Sequence, residues 1–399
     1  MRDKRNGLEI TKAWKIGGAC IAIYFFTYVL RNVLSVATPN MIKEAFFTKE
    51  YIGLLSSTYF ICYAVGQFIN GFVSERLHPK YTLTVGSEMS CLCLFIVPLV
   101  ENRIVHMLCF AMIGFCLSML RGTLTKIVAE NVWMEYASMI CAGLSAVCYV
   151  SPFAASVLSI FFSWRMVFRV AAILGAVSSA MSIILLLIFE KKKLITFVPA
   201  DKKVFGTFKD IFRLKDYVIH LFISASAEII GTAVNFWLPT YMTEYLEMPP
   251  ETAYTIYSVS AFTGLFAPFI TLLIYRTLIH DGIKISAMMF GIATLAFAIM
   301  LFTKNPYISS AVLLVAMLSA ACAAGAVWTI YIPRLSESGM VASANGVLDA
   351  TGYGMVSVAN LIFSSSMSFI GWNGLVAMWG TIMLVVSVVV AGYSRRNHA

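Results

Sequence analysis

A few ionisable side chains fall inside long apolar runs of this chain. Arg31, Arg121 and Lys126 are basic; Glu88, Glu228 and Asp349 are acidic. Arg31 sits in the middle of FTYVLRNVLSVATPNM, with Tyr28 and Tyr24 one and two helical turns before it. An arginine at the centre of a lipid-spanning helix costs about 2.5–3.5 kcal/mol on insertion scales, so it faces a polar cavity or a partner. Its guanidinium keeps its proton and presents a planar fork that matches carboxylate or phosphate. The chemistry expected is therefore recognition of a small anionic substrate, with a structural ion pair inside a helix bundle as the plainer alternative. No nucleophile–base pairing, nucleotide loop or metal-ligand spacing is present, so neither an enzyme nor a cofactor or metal site is expected. The nine cysteines all lie in apolar runs and read as small packing residues.

Helices must position these groups. The 399 residues are 60% hydrophobic and only 12% charged, about half the charge of soluble domains. Mean hydropathy is +0.83. Many runs reach the roughly 20 apolar residues that a bilayer span needs. Twelve spans are read, at about 15–40, 51–73, 82–100, 104–130, 138–161, 166–189, 217–243, 252–275, 284–303, 308–332, 343–367 and 372–393. The expected fold is an all-α membrane protein of twelve transmembrane helices in two six-helix bundles. The first run is long, follows a basic tail and lacks a small-residue cleavage site, so it is expected to be a span and not a cleaved leader.

Basic residues set the orientation. With a cytoplasmic N-terminus, 21 of the 29 Lys and Arg fall on the inner side and 6 on the outer side, the latter including Lys304. The inner set includes Lys202 and Lys203. Both termini are therefore expected in the cytoplasm, and the formal charge of +9 reflects topology, not a nucleic-acid partner. The short loops point to a cell inner membrane. The long polar loop 190–216 divides the chain into residues 1–189 and 217–399, six spans each. A shift of 200 residues aligns Pro39 with Pro239 and Arg76 with Arg276, as expected for a repeat with a substrate path between the halves.

Under that shift Arg31 falls on Gly231, and Glu228 lies one turn earlier in an apolar stretch. Glu228 is the candidate proton carrier. Arg121 lies 17 residues past Ile104, roughly 25 Å along its helix. Lys126 is placed near the inner surface, where it could snorkel. Glu88 and Asp349 read as structural. The turn GFVSERLHPKY supplies Gly71, Glu75, Arg76 and Lys80, a candidate charge latch between helices at the inner surface that could break and reform as bundles rock. Candidate polar and aromatic walls of the substrate site are Tyr24, Tyr28, Asn235, Trp237, Tyr241 and Tyr353, beside Arg31, Arg121 and Lys126. Gly143, Gly352 and Gly354 would let helices approach closely.

These stretches resemble a known superfamily. GFVSERLHPK is similar to the loop motif of the major facilitator superfamily, with Glu75 where aspartate is usual. RNVLSVATPNM, YIGLLSSTYFICYAVGQFINGFVSERLHP, NFWLPTYM (235–242) and the stretch 341–380 resemble the organophosphate:phosphate antiporters, the glycerol-phosphate and hexose-phosphate transporters. The resemblance implies alternating access in a monomer. It also shows departures: a second arginine in span 7 is replaced by Gly231, a span-2 lysine by Gln67, and the basic end of the loop after span 4 by Met134-Glu135-Tyr136-Ala137. Related anion:cation symporters for sugar acids also resemble RNVLSVA. Three readings follow: exchange of a phosphorylated metabolite for phosphate, proton-coupled symport of a carboxylate, and a transporter-like membrane sensor of a sugar phosphate.

Overall fold

In lipid every backbone polar group must be satisfied within the chain, so apolar runs of this length become helices. The computed structural model describes residues 2–44, 46–47, 49–197, 208–303 and 305–397. Lys202, Lys203 and Lys304, assigned above to loops, lie outside the described residues. Among the described residues no strand forms. The helices are α1 Arg2–Lys43, α2 Lys49–Arg76, α3 Pro79–Ile96, α4 Arg103–Asn131, α5 Met134–Phe161 and α6 Trp164–Lys191. After a one-turn helix at Phe208–Ile211, α7 runs over 217–245 and α8 over Pro250–Thr277. Next come α9 at Gly282–Phe302 and α10 over 306–334. The stretch Val341–Asn397 is broken at Gly371 (φ 60°, ψ −172°) into α11 (341–370) and α12 (372–397). Phe363 and Trp379, eight residues either side of Gly371, pack with ring centroids 6.0 Å apart, so the chain reverses there. Among the described residues these are twelve long helices, the fold expected. Nine stretches among the described residues are long and apolar enough to cross a membrane.

Short polar turns start several helices sharply. Asn102 accepts from the amides of Ile104 (2.9 Å) and Val105. Asp281 accepts from Ile283 and Lys284, and Asn305 from Tyr307 and Ile308. Each satisfies amides that the first helical turn leaves without an acceptor, a contribution of about 1 kcal/mol. Proline begins α3 and α10, where its missing N–H costs nothing.

The chain forms two compact units. The first comprises Met1–Ile211 with Ile332–Ala350, and the second Phe212–Tyr331 with Thr351–Ala399. The break near residue 211 falls inside the polar loop 190–216. Residues 332–350, read in the sequence as part of the stretch 217–399, pack with the first unit.

In the first unit α2 and α4 approach closely. A Cβ on Gly114 would collide with the Tyr59 carbonyl, so only glycine permits this crossing. Polar side chains then bridge the two helices. Asn70 donates to the Phe115 carbonyl (2.9 Å) and to Ser118 Oγ (2.6 Å), and Thr123 donates to Ser74 Oγ (3.1 Å). Such bonds contribute about 0.6 kcal/mol each inside a membrane.

In the second unit the helices are less regular. π-Helical turns interrupt α7 at Ile229–Val234 and Tyr241–Tyr245, and α10 at Ala326–Tyr331. Turns of this kind are rare and concentrate at functional sites. The last is braced by His220, which stacks on Tyr331 at 3.6 Å, while the Tyr331 hydroxyl donates to the Lys215 carbonyl.

Candidate functional site

Arg31 projects from α1 into a cage of rings. Its guanidinium carbon lies 4.7 Å from the Tyr63 centroid, 5.0 Å from Tyr28 and 5.7 Å from Phe60. Nη1 also donates to the Tyr28 hydroxyl at 3.2 Å. Aromatic faces stabilise a cation by about 0.5–2 kcal/mol each where water is excluded. They do so without removing its charge. Tyr24 packs edge-on against Tyr28, 4.9 Å between centroids, and is buried. Gln67 Nε2 donates to the Tyr63 hydroxyl at 2.7 Å and holds that ring in place. Gln67 and Tyr63 were not among the expected site residues. The signal was there in the four-residue spacing of Tyr59, Tyr63 and Gln67 on one face of α2.

The cage opens on a cavity of about 350 Å³ within the first unit. Arg31, Asn32, Ser35 and Thr38 line it from α1, and Ser56, Tyr59 and Phe60 from α2; Leu94, Phe110 and Ile113 close it with apolar surface. One fixed positive charge, several hydroxyls and an amide in a space of this size suit a small, polar, anionic molecule.

Arg121 and Lys126, grouped above with the substrate residues, have protein carboxylates as neighbours. Arg121 Nε lies 3.9 Å from Asp349 Oδ2, with side chains 16% and 6% exposed. Asn345 donates to the same Asp349 oxygen at 3.3 Å. Asp349 is also within charge-interaction range of Arg31, and Arg121 within range of Tyr24 and Tyr28. Arg31, Tyr24, Tyr28 and Arg121 are thus brought together.

Lys126 does not snorkel to a surface, contrary to expectation. It is buried, with Nζ 2.8 Å from Glu75 Oε2, and it donates to the carbonyls of Glu75 (3.0 Å) and Ser74 (3.3 Å). A lysine that reaches a carboxylate in the interior has no reason to seek water.

Glu75 is the centre of the latch. Its Oε1 accepts from the amides of Ala342 (2.5 Å) and Ser343 (3.2 Å), the first turn of α11. A carboxylate at a helix N-terminus meets unsatisfied N–H groups and the positive end of the dipole. The backbones come close as well. A Cβ on Gly71 would lie 2.9 Å from the Ala342 carbonyl, and one on Gly346 would strike the Gln67 carbonyl. The sequence reading placed Gly71, Glu75, Arg76 and Lys80 in one motif. Gly71 and Glu75 meet the first turns of α11; Arg76 is on the exposed side of α2, and Lys80 lies over the Tyr81 ring at 5.0 Å. The base that holds Glu75 is Lys126, from α4.

The remaining expected residues lie in the second unit. Glu228 closes the regular part of α7, just before its first π turn, and accepts from Thr232 Oγ1 at 3.2 Å. Gly352 packs on it, leaving 3.0 Å between a hypothetical Cβ and Glu228 Cγ. Asn235 accepts from Ser260 Oγ at 3.2 Å. Trp237 and Tyr353 are half-buried. Tyr241 is fully buried, stacked on Tyr245 (5.3 Å) and edge-on to Trp372 (5.5 Å), and so belongs to helix packing and not to a cavity wall. A side chain at Gly231 would meet nothing within 4 Å.

Known proteins share this architecture. The glycerol-3-phosphate transporter of Bacillus subtilis (strain 168) is 25% identical over 409 aligned residues, covering 91% of this chain and 87% of that protein. A probable hexose phosphate transport protein of Chlamydia trachomatis is 32% identical over 63 residues, a match spanning only 16% of this chain and 14% of that protein. Both support the resemblance to organophosphate:phosphate antiporters. A bacterial homologue of the iron transporter ferroportin, solved in an outward-facing state, has the same fold: TM-score 0.77 at 13% identity, over 95% of this chain and 99% of that one. The family model described as Major Facilitator Superfamily matches residues 20–359, and with twelve helices and a charged cavity inside the first unit the chain belongs to that superfamily of membrane transporters.

Proposed function

We propose that this protein is a secondary active transporter that exchanges a phosphorylated metabolite for inorganic phosphate by alternating access. The observation that carries the reading is Arg31, a permanent cation held by Tyr28, Tyr63 and Phe60 at the edge of a cavity of about 350 Å³ with hydroxyls and an amide in an otherwise apolar lining. Its fork is positioned before the anion arrives, so little ordering remains to be done on binding. The long match to a glycerol-3-phosphate transporter supports a phosphate ester as cargo. Glu75, Lys126 and the first turn of α11 form the latch that opens and closes in each cycle, with Gly71 and Gly346 permitting the contact. We place the protein in a cell inner membrane as a monomer, with both termini cytoplasmic, in keeping with the distribution of its basic residues. The decisive test is uptake of labelled phosphate into proteoliposomes loaded with unlabelled phosphate, with no proton gradient. Exchange that vanishes in Arg31→Gln supports the reading; absence of exchange in folded protein overturns it.

A second reading is favoured by the charge available to a substrate. Gly231 brings no second arginine, and Arg121 has the Asp349 carboxylate beside it. A site with that balance also fits a carboxylate carried with a proton, in which case Glu228 is the proton carrier. Collapse of carboxylate uptake by a proton ionophore, and its loss in Glu228→Gln, would establish this alternative.

A further inference from the structure

Away from the Arg31 site, a second cavity of about 560 Å³ lies between residues 15–22 of α1 and the end of α6, within the first unit. Gly18, Ala19 and Ala22 form one wall, and Leu185, Ile188 and Phe189 the other. Lys15 and Lys192, both exposed, stand at its mouth. A side chain at Gly18 would meet nothing within 4 Å, so the groove is open along α1. A tight turn follows α6: Lys193 takes a left-handed conformation (φ 53°), and the amides of Leu194 and Ile195 turn back to the Phe189 carbonyl at 2.9 and 3.4 Å. That reversal ends α6 and brings Leu194 into the lining of the groove. The neighbouring carboxylate of Glu190 has a basic partner of its own, His78, at 3.3 Å.

We infer that this groove binds one anionic phospholipid, an acyl chain lying between α1 and α6 and the phosphate headgroup between Lys15 and Lys192. The apolar walls fit a hydrocarbon chain, which a free phosphate would not need. The two ammonium groups fit the charge of a phosphodiester, and basic pockets between transmembrane helices are an established way to hold such headgroups. Small residues on α1 give the chain its room. Trp14, beside Lys15, is exposed, and tryptophan is a residue type that favours the headgroup boundary.

The test uses the full chain in detergent with equal amounts of phosphatidylglycerol and phosphatidylcholine, and native mass spectrometry to count retained lipids. Wild type should retain phosphatidylglycerol about tenfold over phosphatidylcholine, and K15Q/K192Q should lose that preference. G18L should reduce retention of both lipids by filling the groove, with an unfolding midpoint close to wild type because the site is open. Equal retention of the two lipids by wild type, an undiminished preference in K15Q/K192Q, or displacement of phosphatidylglycerol by millimolar inorganic phosphate would each overturn the proposal.

Discussion

Arg121 on α4 and Asp349 near the start of α11 form a buried pair, with 3.9 Å between guanidinium and carboxylate. The two residues are 228 positions apart in sequence, and Asp349 lies two turns beyond the amides that bind Glu75. Within the first unit, segment 342–349 is therefore held at two places, to α2 by Glu75 and to α4 by Arg121.

Removing one member of that pair should cost more than removing both. Arg121→Gln or Asp349→Asn alone leaves a buried charge without its counter-ion, a loss of roughly 3 kcal/mol or more. The double variant should recover a large part of this. Thermal unfolding of the three proteins in detergent checks it; additive losses would show that the pair is not coupled.

Arg31→Lys retains charge but loses the fork and much of the ring contact. Affinity for phosphate should fall about tenfold, the equivalent of about 1.4 kcal/mol. Tyr63→Phe should change affinity less than threefold, because the ring face survives. Binding by isothermal calorimetry measures both, and unchanged affinity in Arg31→Lys would rule out bidentate recognition.

At the latch, Glu75→Gln preserves an acceptor for Ala342 but removes the charge that Lys126 and the helix terminus share. Charge-assisted hydrogen bonds contribute about 1.5–3 kcal/mol, so opening should become more frequent by roughly tenfold or more. Hydrogen exchange over residues 341–348 should accelerate, while phosphate affinity at the Arg31 site stays within about twofold.

A pH effect is expected at the end of α1. Glu44 accepts from Trp164 Nε1 and from Arg165 Nη1, each at 2.8 Å. The indole bond above all, with Arg165 adding to it, holds this carboxyl below its ordinary value. A group whose value falls on folding stabilises the fold above its unfolded value and ceases to do so as pH drops through the folded one. Lowering the pH below about 4 should therefore destabilise wild type more than Glu44→Gln. Matching acid sensitivity in the two proteins would remove Glu44 from the account.

The fold was legible because lipid leaves few solutions: twenty apolar residues in a row have to be helical. Arg31 stands out in the sequence for the same reason, its cost being visible in its surroundings. The partners were not. Glu75 and Lys126 are 51 residues apart and Arg121 and Asp349 are 228 apart, and single-residue spacing says nothing about which helices will touch. The adjacent Glu75-Arg76 suggested a local pair, whereas helical geometry points neighbours in sequence to different faces. Tyr241 looked like a cavity residue because tyrosine often lines sites, yet its ring is taken up by Tyr245 and Trp372.

Gly371 joins α11 to α12 with a single left-handed residue in place of a loop. From Ala350 to Ser394 the chain carries no Asp, Glu, Lys or Arg. A ribosome delivering this stretch to the membrane therefore presents no charge at the reversal by which the insertion machinery could judge sidedness. Gly371 makes the two spans one hairpin, so the direction of α12 is inherited from α11.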